Sequence, residues 1–196
     1  MDNFKIGIFD LFSSILPGIP ILILFGFCIG FVPFEFSLVY DYVFNLNLNM
    51  VLFLLTLSYF IGFSLQYLSY EVFQKILKKN SKFWKKRIGE HHISIGKRGN
   101  EITMIRHYSP ENFLILNTFM ALRTMCYNMF FSILLFTIGI TILSIVKCSF
   151  KYDYFIALTL SIFFASLFFR RAVSFQEWIQ NLITECKVIT DKESKK

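Results

Sequence analysis

The sequence predicts an all-α integral membrane protein: four transmembrane helices, long cytoplasmic helical extensions and a small β-hairpin. Three observations carry this. Of 196 residues, 55% are hydrophobic, 19% aromatic and 17% charged, with 26 Phe, and the mean hydropathy is +0.56. A soluble domain carries about 25% charged residues, and a core of this size could not enclose so much apolar surface. The uncharged residues fall into four runs, and the basic residues gather between and after them. An ordinary soluble enzyme, a disulfide scaffold and a disordered regulator are thereby excluded.

The runs number 24 residues between Asp10 and Glu35, 29 between Asp41 and Glu71, 23 between Arg123 and Lys147, and 16 between Asp153 and Arg170. About 20 apolar residues cross the hydrocarbon layer. The first three qualify outright, and the fourth does so with Asp153 and Arg170 at the two interfaces, a re-entrant segment being its alternative. Residues 1–72 then form a transmembrane hairpin with spans near 11–34 and 48–70. Residues 73–112 are a basic insert, 113–170 a second hairpin with spans near 124–146 and 153–170, and 171–196 an amphipathic helix and tail.

The first run is not a cleavable leader, since one Lys stands against two acids in its flank and no small-x-small site follows. Pro17, Gly18 and Pro20 predict an irregular start over residues 16–20, with regular helix after it, because a proline within a span frees a carbonyl that a neighbour must satisfy. Orientation follows from charge. The connection from Pro33 to Asn49 has no Lys or Arg, residues 71–112 hold ten against four acids, and the tail from Arg170 holds six. By the positive-inside rule both termini and the insert are cytoplasmic.

From Val72 to Arg87, the apolar Val72, Phe73, Ile76, Leu77, Phe83 and Trp84 recur at helical spacing opposite Lys75, Lys78, Lys79, Lys82, Lys85 and Lys86. This is a basic amphipathic helix suited to the membrane interface and to anionic lipid headgroups. The same lysines, with Arg87, could face a partner protein or nucleic-acid phosphates. Alternation in His92-Ile93-Ser94-Ile95 and in Ile102-Thr103-Met104-Ile105 about Gly96-Lys97-Arg98-Gly99-Asn100 predicts the hairpin. Ser109-Pro110-Glu111 reads as a helix start, and the apolar pattern then runs to Val146. That helix is about 55 Å long at 1.5 Å per residue, so its first three or four turns, including Asn117 and Arg123, should project from a ~30 Å core into the cytoplasm. Phe175, Trp178, Ile179, Leu182, Ile183 and Cys186 form a further stripe opposed by Glu177, Asn181 and Glu185. These extensions should pack as a short cytoplasmic bundle.

Little in the chain suggests catalysis or a cofactor. Cys28, Cys126, Cys148 and Cys186 form no CxxC and read as small buried hydrophobes. Folding the hairpin would gather His91 or His92 with His107 beside Glu90, a zinc-capable set in residue type. Adjacent histidines on a strand face opposite sides, however, and an exposed polar base explains them better. Arg87 and His92 have the Arg-x4-His spacing and resemble the ribonuclease motif of HEPN domains, although Ile88 and Gly89 depart from the family's pattern. Gly26 and Gly30 form GxxxG, and Ser58 and Gly62 its weaker counterpart; small residues one turn apart let two helices approach, within the chain or between protomers. No charge lies fully within a span, which speaks against an ion-coupled carrier.

The opening Phe9-Asp10-Leu11-Phe12-Ser13 and Leu16-Pro17-Gly18, with four spans and a basic insert, resembles small prokaryotic antiviral-defence membrane proteins. Most similar are the accessory membrane proteins of type VI-B CRISPR systems, with the membrane subunit of the Kiwa system second. The resemblance implies an inner-membrane homo-oligomer that alters permeability or relays a signal to or from a cytoplasmic nuclease; a passive anchor or sensor is the alternative.

Overall fold

The computed structural model describes residues 2–30, 45–79, 99–146 and 152–193. These form α1 (Asp2–Cys28), α2 (Leu48–Lys79), α3 (Gly99–Tyr108), α4 (Pro110–Val146) and α5 (Tyr152–Glu193). All but the short α3 are long and apolar enough to cross a membrane, so the chain is a multi-pass membrane protein. Their outward faces are greasy, with Phe60 61% and Phe163 56% exposed, as lipid contact requires.

The long helices alternate in direction, and α1 lies between α2 and α4. α4 is the hub, packing along α1 and α5 and meeting α2 near one end of the bundle. Between α4 and α5 the contact runs along small residues. Ala157, Ser161 and Ala165, one turn apart, are buried, and Ala157 packs with Ile140 and Leu24. Small side chains allow the close approach that dispersion needs where lipid supplies no hydrophobic drive.

At the end where α2 stops and α4 begins, the extensions do form a bundle. One core joins Phe73 and Leu77 of α2 to Cys126 and Tyr127 of α4 and to Ala172, Val173 and Phe175 of α5. Phe73 stacks on Tyr127 at 5.7 Å and meets Phe169 edge-on at 5.8 Å. A second core holds Ile105 of α3, Leu116 of α4, and Ile179, Ile183 and Cys186 of α5.

Three expectations are corrected. Residues 99–108 are helix, not the return strand of a β-hairpin: Ile102 and Ile105, one turn apart, share the second core, and burying them there outweighs local alternation. Residues 92–95 lie outside the described residues. α1 runs unbroken through Pro17 and Pro20 instead of starting irregularly near residue 16, and it ends at Cys28, short of residue 34. Phe73 and Leu77 are buried in the bundle rather than resting on the membrane interface. The fourth run, expected to span, belongs to a single 42-residue helix long and apolar enough to cross a membrane, and the re-entrant alternative falls away. Ser109 caps α4 as its sequence implies, its carbonyl accepting the Phe113 N–H at 3.0 Å.

Candidate functional site

The most distinctive chemistry of the described residues is a polar seam buried between α1, α2 and α4. Its origin is Pro17, which lacks the N–H that would bond the carbonyl of Ser13 four residues back. Asn128 of α4, fully buried, donates to that carbonyl through Nδ2 at 3.4 Å. Its Oδ1 faces the Ser69 hydroxyl of α2, whose single proton also has the Gln66 carbonyl in reach at 2.9 Å. One turn on, the Ser132 hydroxyl donates to the Pro17 carbonyl, and Ser58 donates to the Ile15 carbonyl at 2.5 Å.

These hydroxyls differ from the others in the spans. Thr56, Ser64, Thr137, Thr141, Thr159 and Ser166 each bond the carbonyl four residues back in their own helix. Such back-bonding satisfies a hydroxyl without a neighbour. Ser58 and Ser132 instead cross to carbonyls of α1.

α1 and α2 meet on glycine. A Cβ on Gly18 would overlap the Ser58 carbonyl, and one on Gly62 would overlap the Ser14 carbonyl. Ser58 and Gly62 thus mark a packing contact within the chain. Gly18, passed over as a helix breaker beside two prolines, is the missing half of it. Gly26 is buried on α1. Gly30 is not its helical partner: it lies beyond the end of α1 with φ 71° and nothing near where its Cβ would stand.

Closer to the bundle, Arg123 of α4 is buried, and its Nη1 donates to Oε1 of Gln176 on α5 at 2.7 Å. Among the described residues no carboxylate pairs with it, and its Nε has no hydrogen-bond partner. Sequence reading assigned Arg123 to a projecting turn and left Gln176 out, because a glutamine beside a charged helix face gives no sign of burial.

Of the residues singled out for a cytoplasmic partner or for lipid, Lys78 and Lys79 end α2. Lys82, Lys85, Lys86 and Arg87 lie outside the described residues, as do His91 and His92. His107 is exposed on α3, 4.8 Å from the ring of Tyr108. Among the described residues no three His, Cys, Asp or Glu side chains gather as metal ligands, and Cys28, Cys126 and Cys186 are free thiols. Burial, and then Glu185, hold the Cys186 thiol above its ordinary range.

The fold and this seam define a multi-pass membrane protein with four helices long and apolar enough to span, which continue into a packed helical bundle. No family model, curated protein or solved structure matches the chain.

Proposed function

We propose that the protein works in the bacterial inner membrane as an accessory or effector of antiviral defence. Both termini and residues 73–112 face the cytoplasm, and the protein acts as a homo-oligomer. It alters membrane permeability or relays a signal to or from a cytoplasmic nuclease. The supporting observation is mechanical. α4 and α5 pass without a break from apolar span into packed bundle, and α2 joins them through Phe73 and Leu77. Cores are close-packed and transmit strain, so displacing the bundle displaces the spans. The defence setting rests on the resemblance of the opening residues and architecture, and the partner surface on Lys78, Lys79, Lys82, Lys85, Lys86 and Arg87.

The test is single-channel recording from purified protein in a planar bilayer, with and without a candidate nuclease. Discrete openings that persist on repurification support an effector that alters permeability. Silence in both conditions from folded protein overturns the pore and leaves a passive anchor or sensor. Reversing the six basic charges should abolish nuclease or anionic-lipid binding; binding that survives removes that surface. His92→Ala decides the remaining enzymatic reading: loss of RNA cleavage at unchanged expression would establish a ribonuclease.

A further inference from the structure

The lipid-facing stripe of α5 ends in an arginine. Leu160, Phe164 and Leu167 are exposed at 47%, 45% and 44%, and their spacing puts them on one helical face with Arg171 and Trp178. Arg171 is itself exposed. Its guanidinium stands over the ring of Phe175 at 4.9 Å and that of Trp178 at 5.1 Å. Phe175 and Trp178 are in turn edge-to-face at 5.3 Å, and Phe119 of α4 packs on both. The cation therefore rests on a rigid aromatic shelf. No acid stands three or four residues from it in the helix, where a pairing carboxylate would sit: those positions are Leu167, Phe168, Ser174 and Phe175. Cation–π contact orients a guanidinium without neutralising it, so its N–H donors remain available to an anion.

The geometry points to Arg171 as a binding site for the phosphate of an anionic phospholipid, with an acyl chain lying along Leu167, Phe164 and Leu160. This rests on the four-span reading. From Asp153 to Arg170 the helix covers 18 residues, about 27 Å, which matches the ~30 Å hydrocarbon layer and sets Arg171 at headgroup level. A planar guanidinium fits a phosphate in a forked, two-bond geometry. A soluble phosphate would use the same donors, but only a lipid would also use the apolar stripe running straight to them. Trp178, half exposed at the outer edge of the shelf, has the amphipathic character found at membrane interfaces.

The test is native mass spectrometry of the full chain released from micelles doped with phosphatidylglycerol or, at equal mole fraction, phosphatidylcholine. Wild-type protein should retain phosphatidylglycerol about fivefold better, the scale of one juxtamembrane arginine. Arg171→Gln should lose that preference, and Arg170→Gln, turned about 100° around the helix, should keep it. Trp178→Ala, which removes half of the shelf, should weaken it. Equal loss in both arginine variants overturns the site in favour of diffuse attraction. Displacement of the lipid by inorganic phosphate overturns the lipid as ligand. Equal retention of the two lipids removes the headgroup site while leaving the span intact, whereas retention of neither overturns the membrane placement of α5 as well.

Discussion

Asn128 on α4 donates a hydrogen bond to the carbonyl of Ser13 on α1, the carbonyl that Pro17 deprives of its helical donor. In water such a carbonyl would be solvated. Between apolar helices it must find a protein donor, and the primary amide of Asn128 supplies one while its oxygen receives Ser69.

The pairing gives a conditional prediction. Asn128→Leu should destabilise the protein by about 1 kcal/mol in SDS-titrated mixed micelles, the scale of one interhelical hydrogen bond in a membrane protein. Ser69 retains the Gln66 carbonyl, so the loss falls mainly on Ser13. Adding Pro17→Ala restores an N–H to the helix and should recover part of it. If Asn128→Leu costs as much in the Pro17→Ala background as in the wild type, the amide is not serving the vacated carbonyl.

A second prediction ranks the glycines. Gly18→Ala and Gly62→Ala each drive a Cβ into a facing backbone carbonyl, which a rigid helix cannot move aside. Each should cost about 1–3 kcal/mol, as overpacking does. Gly139→Ala meets only the end of the Leu24 side chain and should cost less. At Gly30 the penalty is confined to its left-handed backbone, about 1 kcal/mol. Thermal unfolding in detergent reads the order, and Gly30→Ala proving as damaging as Gly18→Ala would contradict it.

The third concerns Arg123 and Gln176. Gln176→Leu leaves a buried guanidinium without its oxygen acceptor and should cost about 2 kcal/mol, the worth of a hydrogen bond to a charged group. In a double variant with Arg123→Met, both polar partners become apolar at similar volume, and much of that loss should return. Additive losses in the double variant would mean that the two side chains act separately.

Orientation is testable by thiol chemistry. Cys28 is exposed at the far end of α1, while Cys126 and Cys186 are buried, and burial, then Glu185, raise the Cys186 thiol above its ordinary range. In a Cys148→Ala background, a membrane-impermeant maleimide added to intact cells should label Cys28 alone. The expected result is labelling before lysis. Labelling only after lysis would reverse the topology.

What the sequence made legible was what depends on long uninterrupted patterns. α4 follows from Ser109-Pro110-Glu111 and an apolar run to Val146, and the inner face of α5 from the spacing of Phe175, Ile179, Ile183 and Cys186. What stayed hidden depends on partners distant along the chain. Asn128 and Ser132 look like stray polar residues until Pro17, 115 residues before Ser132, is set beside them. Gly18 reads as a breaker until Gly62 is opposite. Ala157, Ser161 and Ala165 carry the α4–α5 contact at a spacing as legible as GxxxG, yet alanine and serine attract less notice than glycine. α3 was misread because Ile102 to Ile105 suits either period over four residues, and only the neighbours Leu116 and Ile183 decide.

The bond from Asn128 to Ser13 also bears on how the chain is made. Synthesis proceeds from the amino terminus, so α1 enters the membrane well before the ribosome has translated residue 128. During that interval the Ser13 carbonyl lacks the donor that Asn128 later supplies. A release or stall after α2 would therefore leave α1 without the contact that Asn128 makes to it.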